Sequence, residues 1–157
     1  MTGERVQFDI LVIEDNASDQ RLIEEAFTES GSELGVQAVD DGEVAVDLLR
    51  RFTSAKSSLL PGVVLLDLHL PGRNGDAVLE TIRTELDLEC LPVIVLTRSD
   101  NTEDIARCYQ AGANAYLQKP AEFTDWISLA ETVEQLWFTH ARPPDICPPD
   151  GRPEAVI

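Results

Sequence analysis

One stretch, Gly62 to Gly72 (GVVLLDLHLPG), limits the fold of this chain more than any other. Within it, an unbroken apolar run from Val63 to Leu66 leads directly into Asp67. A short apolar run without polar alternation is typical of a strand buried on both faces, as in a parallel sheet. A carboxylate at the end of such a strand stands where open α/β sheets place their ligands. Alone, it could equally be an aspartate that ends a strand and caps a turn, so the other strand ends decide its interpretation.

The rest of the chain alternates between apolar runs and segments with helical periodicity. The predicted strands are 8–13, 36–39, 63–66, 92–97 and 115–118, and the last predicted helix spans about 123–138. This alternation predicts a parallel five-stranded sheet with right-handed crossovers and helices on both faces. We see no internal repeat and no second domain, so 1–140 is expected to form one domain. The segment 141–157 contains five prolines and is expected to be a disordered tail.

The formal net charge of −17 argues against two classes of partner. Proteins that bind nucleic acid or anionic membranes meet the phosphates with Lys and Arg, which are scarce here. The acidity instead favours a divalent cation where carboxylates cluster. The three cysteines, Cys90, Cys108 and Cys147, form no CxxC pair, so neither a zinc site nor a disulfide framework is expected. No segment resembles a signal peptide or a membrane span, and we expect a cytoplasmic protein.

Polar side chains stand at or just after the ends of four predicted strands. Glu14 and Asp15 follow the first strand, Asp67 the third, Thr97 ends the fourth, and Lys119 follows the fifth. Each could have a local role as a cap, a strand-end hydroxyl or a solvated lysine, but the ends of parallel strands meet at one edge. Three carboxylates there would suit Mg²⁺, while the ammonium and the hydroxyl could bind phosphoryl oxygens. Asp67, on the central strand, is then the best candidate nucleophile.

These residues carry a resemblance to a known family. Over about 7–138, the chain resembles the receiver domains of two-component response regulators. The matching motifs are VIEDN, LLDLHLPGRNG, VIVLTRS and AYLQKP. The resemblance implies a flavodoxin-like, doubly wound parallel sheet with strand order 2-1-3-4-5. It also implies a single-domain regulator that catalyses its own phosphorylation and dephosphorylation and turns over no external substrate.

The resemblance further implies a role for each residue at the strand ends. Asp67 would accept a phosphoryl group from a sensor histidine kinase in a Mg²⁺-dependent reaction. Glu14, Asp15, Asp67 and the backbone carbonyl of His69 would hold the Mg²⁺ ion. Thr97 and Lys119 would bind the phosphoryl oxygens.

An aromatic side chain is expected to transmit the conformational change that follows phosphorylation. By the resemblance, Tyr116 would be a switch that turns inward when Thr97 moves toward the phosphoryl group. This shift would be transmitted through the face formed by the fourth helix, the fifth strand and the fifth helix. Receivers usually have a cis bond after the conserved lysine, so the Lys119–Pro120 bond is a cis-proline candidate.

Several features point to a subgroup within this family or depart from the family pattern. The extended loop around Lys56 and the LWF ending of the last helix look most like the small regulators that partner bacterial phytochromes. Trp137 and Phe138 are candidates for a homodimer interface, or they fold back onto the core of their own domain. His69 and Arg98 are unusual for the family; they either alter the lifetime of the phosphorylated state or point to solvent.

Three other functions remain to be weighed. A Mg²⁺-dependent phosphatase with an aspartate nucleophile would need a second acid two residues later, where His69 stands. A flavin-binding module would need a loop of Ser, Thr and Gly after the first strand, where EDNASD would repel the phosphate. The third is a pseudo-receiver that acts only as an interaction module, which the complete set of site residues argues against.

Overall fold

The computed structural model describes residues 8–55 and 60–141. Residues 142–157 of the predicted tail 141–157 and the loop at Lys56 therefore lie outside the described residues. Five strands alternate with five helices: β1 (Ile10–Ile13), α1 (Ala17–Glu29), β2 (Val36–Val39), α2 (Gly42–Ala55), β3 (Val63–Leu66), α3 (Gly75–Glu80), β4 (Val93–Thr97), α4 (Thr102–Ala111), β5 (Ala115–Gln118) and α5 (Phe123–Glu134).

The strands form one parallel sheet in the order β2-β1-β3-β4-β5, which confirms the predicted fold class. The register aligns Ile13 with both Val39 and Leu66, so β1, β2 and β3 end at the same level. Because Glu14 and Asp67 are the next residues along β1 and β3, the register alone places them side by side.

Each face of the sheet has its own core, because alternate side chains of a strand point to opposite faces. On one face, Leu11 and Leu66 pack with Leu49 of α2 and Leu79 of α3. On the other face, Val12 and Leu65 pack with residues of α1 and α5, including Phe27 and Trp126. The strands β1, β3 and β4 are fully buried, which explains their continuous apolar sequences.

The helix boundaries follow local signals in the sequence. Asn16 and Asn101 cap α1 and α4 by accepting hydrogen bonds from backbone N–H groups in the first turn. Gly112 ends α4 in the left-handed conformation, with φ 113°. Two helices continue with wider, π-helical hydrogen bonding, α3 over Thr81–Glu85 and α5 over Gln135–His140. The last helical segment therefore ends at His140, slightly beyond the predicted 138.

The prediction of a cis bond before Pro120 is wrong. No peptide bond among the described residues is cis, so Lys119–Pro120 is trans. A proline lowers the preference for the trans form to about 0.5–1 kcal/mol without reversing it. The proline therefore permits a cis bond, but the sequence does not determine which isomer the surrounding structure selects.

A close backbone approach fixes the loop that carries Asp67. The amide of Gly75 donates to the carbonyl oxygen of Leu68 over 2.7 Å. A Cβ atom on Gly75 would overlap the carbonyl oxygen of Asp67 and lie 2.9 Å from the Cα atom of Leu68. Only glycine fits at this position, where the start of α3 returns to the end of β3.

The substitution Gly75→Ala should destabilise the protein because its Cβ meets backbone atoms that cannot rotate away. We expect a loss of about 1–3 kcal/mol of unfolding free energy in urea denaturation. Gly35→Ala is the matched control, since its Cβ would meet only ordinary contacts of 3.5 Å or more. Equal stability of the two variants would contradict the close approach.

Candidate functional site

Three carboxylates meet at the carboxyl ends of β1 and β3. Side-chain oxygens of Glu14, Asp15 and Asp67 lie within 4.8 Å of one another. Glu14 and Asp67 are buried, with 2% and 7% of their surfaces exposed, whereas Asp15 is exposed to solvent. A set of oxygen ligands with one open side fits a hard divalent cation that keeps several water molecules. The structure therefore brings together the three side chains predicted to bind Mg²⁺.

Lys119 is the buried cation of this site. Its Nζ atom donates to Glu14 Oε1 over 2.5 Å and to Asp19 Oδ2 over 2.7 Å, and it lies 3.7 Å from Asp67 Oδ2. The Lys119 side chain is only 3% exposed. Burial lowers the pKa of Lys119, but its hydrogen bonds to Asp19 and Glu14 outweigh burial, so the pKa lies above its usual value. Lys119 is therefore an ammonium ion at neutral pH.

Asp19 is the site residue that the sequence reasoning missed. It is 3% exposed, and its Oδ1 atom accepts from Arg98 Nη2 over 2.8 Å. Its backbone amide donates to the cap residue Asn16 over 2.9 Å. A signal was present in the sequence, since Asp19 precedes the buried Ile23 by four residues and shares the inner face of α1. A carboxylate on an apolar helix face needs a buried partner.

Glu14 is a buried carboxylate with a raised pKa. Burial raises the pKa of Glu14 to about 7, against the lowering effect of its hydrogen bond from Lys119. The nearby Asp67 charge raises this pKa further, while the Asn16 amide lowers it by donating to Glu14 Oε2 over 3.0 Å. The carboxylates of the site outnumber its two cations, Lys119 and Arg98, as expected of a cation-binding site.

Thr97 and Tyr116 lie beside this site on β4 and β5. Thr97 is 1% exposed at the end of β4, and its carbonyl oxygen accepts from the Lys119 amide over 2.7 Å. Tyr116 donates its hydroxyl to the Ser99 carbonyl over 2.8 Å, and its backbone amide donates to the Tyr109 hydroxyl over 3.0 Å. Burial raises the pKa of Tyr116. The predicted switch residue is therefore tied to the loop that follows Thr97.

The remaining predicted residues lie around the rim or at the far end of α5. His69 is exposed, while Arg98, with a side chain 61% exposed, pairs with Asp19 rather than pointing freely to solvent. Trp137 and Phe138 are half-buried against the α1–α5 core, and the Phe138 ring lies against Gly62.

Within the described part of the chain, no helix is long and apolar enough to cross a membrane.

A family model described as the response regulator receiver domain matches residues 10–131. The chain belongs to this family. Receiver domains are signalling modules, and this assignment agrees with the carboxylates, the threonine and the lysine assembled at the strand ends.

The receiver matches individual proteins over most of its length. It is 38% identical to "Probable methanogenesis regulatory protein FilR2" of Methanothrix harundinacea, over 87% of this chain and 88% of that one. It is 34% identical to response regulator Rcp1 of Synechocystis sp., over 82% and 88% of the two chains.

Two solved structures are similar to this receiver. The phosphorylated cyanobacterial phytochrome response regulator RcpA has a TM-score of 0.77 and 34% identity, over 88% of this chain and 99% of that one. The Mn²⁺-bound form of response regulator Rcp1 has a TM-score of 0.70 and 30% identity, over 87% and 99%. The receiver is thus homologous to phytochrome response regulators.

The raised pKa of Glu14 predicts that Mg²⁺ binding depends on pH. Because the metal needs an ionised ligand, binding below about pH 7 must release the Glu14 proton. We expect the apparent Mg²⁺ affinity, measured by calorimetry, to fall by about tenfold per pH unit below that value. Glu14→Gln should bind Mg²⁺ weakly at every pH. The control Glu43→Gln, which removes an exposed carboxylate paired with Arg73, should behave as wild type.

An affinity that stays constant for the wild-type protein between about pH 7 and pH 5 would contradict this prediction. Such a result would mean that Glu14 is already ionised throughout this range in the protein without metal.

Proposed function

We propose that this protein is a response regulator that accepts a phosphoryl group on Asp67 from a sensor histidine kinase. One observation carries this proposal: the Asp67 carboxylate lies within 4.8 Å of those of Glu14 and Asp15, and 3.7 Å from the Lys119 ammonium. A carboxylate nucleophile beside a metal-binding cluster and a fixed cation is what phosphoryl transfer requires.

The residues of the chain would divide the reaction between them. An oxygen of Asp67 attacks the phosphorus while the bond to the imidazole nitrogen of the kinase breaks. Lys119 moves from its position 3.7 Å from Asp67 to donate to a phosphoryl oxygen, and Thr97 donates its hydroxyl to another. The buried walls around Thr97 and Lys119 limit access of water to the acyl phosphate.

Glu14, Asp15, Asp67 and the carbonyl of His69 would hold the Mg²⁺ ion. When bound, Mg²⁺ neutralises charge on the phosphoryl oxygens as the transition state forms. The oxygen donors and their spacing support this assignment, as does the similarity to the Mn²⁺-bound form of Rcp1. On this basis the protein catalyses only its own phosphorylation and dephosphorylation.

The output would pass from Thr97 to the face formed by α4, β5 and α5. Tyr116 holds the carbonyl oxygen of Ser99, two residues beyond Thr97, so a shift of Thr97 toward the phosphoryl group changes the backbone that Tyr116 contacts. This hydrogen bond gives the proposed switch two alternative states, joined or released.

The partner would be a phytochrome-type histidine kinase in the cytoplasm, and the 34% identity to RcpA supports this choice. Residues 1–140 would form the receiver domain. The net charge of −17 makes nucleic acid and anionic membranes unfavourable partners.

Phosphorylation can be tested with acetyl phosphate and intact-mass measurement. We expect one phosphoryl adduct on the wild-type protein that requires Mg²⁺, and no adduct on Asp67→Asn. Asp47→Asn, which changes an exposed aspartate of α2, should form the adduct as wild type does. A folded wild-type protein without an adduct under any condition would instead favour the pseudo-receiver. Release of inorganic phosphate from added phosphomonoesters would favour the phosphatase.

The homodimer would use the end of the last helical segment. Trp137 and Phe138 are half-buried there, and Leu136 beside them is 50% exposed. The buried Trp137 Nε1 atom has no hydrogen-bond partner among the described residues, so an acceptor from outside would satisfy it.

Light scattering at micromolar concentration should therefore find a dimer for the wild-type protein. Leu136→Glu should be a monomer, because it places a charge in the proposed apolar contact. Val44→Glu, at a similarly exposed apolar position on α2, should remain a dimer. A wild-type monomer, phosphorylated or not, would rule out this dimer.

A further inference from the structure

Asp19 lies at the centre of an ion-pair network that the proposed reaction does not yet explain. Its two carboxylate oxygens bind two different cations: Oδ2 accepts from Lys119 Nζ over 2.7 Å, and Oδ1 accepts from Arg98 Nη2 over 2.8 Å. These cations come from the ends of β5 and β4, whereas Asp19 lies in the first turn of α1. The network therefore joins three elements around the phosphoryl site.

Asp19 differs from the other carboxylates near Lys119. Glu14 and Asp67 belong to the cluster that can hold a metal ion, and Asp67 is the proposed acceptor. Asp19 belongs to neither group, since the carboxylates close enough to share an ion are those of Glu14, Asp15 and Asp67 among the described residues. When a metal ion occupies Glu14 and Asp67, Asp19 is the carboxylate that stays available to Lys119.

We propose that Asp19 is a positioning residue for phosphoryl transfer: it holds Lys119 beside Asp67 and gives this ammonium a partner that is not a metal ligand. The proposal rests on the proposed function of Asp67 and extends it to a residue outside the predicted set.

The hydrogen-bonding capacity of Lys119 explains why it needs Asp19 as a partner. An ammonium has three N–H donors, and Lys119 uses two of them on Glu14 and Asp19, which leaves one for the phosphoryl group. Lys119 already contacts Glu14, and without the charge on Asp19 the buried ammonium would also move toward Asp67, the other carboxylate within reach. Bound to Glu14 and Asp67 alone, it would compete with Mg²⁺ for both ligands.

Arg98 limits how strongly Asp19 holds Lys119. Its guanidinium shares the Asp19 charge from the solvent side, so the Lys119–Asp19 bond is weaker than an isolated buried pair would be. Arg98 also follows Thr97 directly, and a shift of Thr97 toward a phosphoryl group would carry the Arg98 backbone with it. The arginine that looked unusual in the sequence is thus part of the same network.

The test is a double-mutant cycle on the full chain, with Asp19→Asn and Lys119→Met alone and combined. The rate of adduct formation from acetyl phosphate is measured over a range of Mg²⁺ concentrations, and Mg²⁺ affinity is measured separately by calorimetry. We expect Asp19→Asn to slow phosphorylation by about tenfold and to weaken Mg²⁺ binding. In the Lys119→Met background, the same substitution should change the rate by less than about twofold, since Asp19 acts through Lys119.

Glu103→Gln is the matched control. It also removes a carboxylate from the first turn of a helix, α4, but it is exposed and has no part in the Lys119 network. It should phosphorylate and bind Mg²⁺ as wild type does. An effect of Asp19 through the helix dipole alone would leave the two variants alike.

Two results would overturn the proposal: wild-type phosphorylation and Mg²⁺ affinity in Asp19→Asn, or an equal slowing with and without Lys119. A wild-type protein that forms no adduct would refute the proposed function instead, and the Mg²⁺ affinities would still test the role of Asp19.

If a thermal melt shows that Asp19→Asn or Lys119→Met is unfolded, Arg98→Gln tests the same network from its exposed end. We expect it to strengthen Mg²⁺ binding by about twofold to threefold in calorimetry, because Asp19 then holds Lys119 more tightly and away from the metal ligands. An unchanged or weakened Mg²⁺ affinity would overturn the proposal.

Discussion

The buried ammonium of Lys119 is the interaction on which the site depends. It contacts carboxylates carried by three different elements: Glu14 after β1, Asp19 on α1 and Asp67 after β3. Removing one partner from a buried ion pair commonly costs about 3–5 kcal/mol, because the remaining charge is left without compensation. The contacts exist only because the parallel register ends the central strands at one level. The topology of the sheet therefore determines which charged groups meet in the site.

The same network leaves an excess of negative charge at the edge of the sheet. Four carboxylates, those of Glu14, Asp15, Asp19 and Asp67, face the two cations of Lys119 and Arg98. Asp15, which is exposed, completes a cluster open to solvent on one side. A site of this kind gains stability from a divalent cation, and a second, fixed cation leaves room for an anionic group between them. The arrangement is thus suited to a reversible phosphoryl group on Asp67.

Much of this could be predicted from the sequence, because the signals are local. Continuous apolar runs reveal strands buried on both faces, as in β1, β3 and β4. Residues that directly follow such strands must meet at one edge, which is how Glu14, Asp67 and Lys119 were found together. Other features depend on partners distant in sequence. In the sequence, Asp19 is an ordinary acidic residue in the first turn of a helix. Its partner Lys119 is 100 residues away and contacts it only in the folded protein. The isomer of the Lys119–Pro120 bond likewise follows from the folded surroundings.

The sequence by itself thus determined the class of fold and the receiver motifs, and it predicted the strand-end residues that the structure brings together, but not Asp19. Periodicity and strand ends are properties of neighbouring residues, so they can be read along the chain. Only the tertiary structure decided which carboxylates face Lys119, that Arg98 pairs with Asp19 and that Tyr116 contacts the Ser99 carbonyl. These pairings depend on distances between separate elements, and such distances are set when helices pack against the sheet.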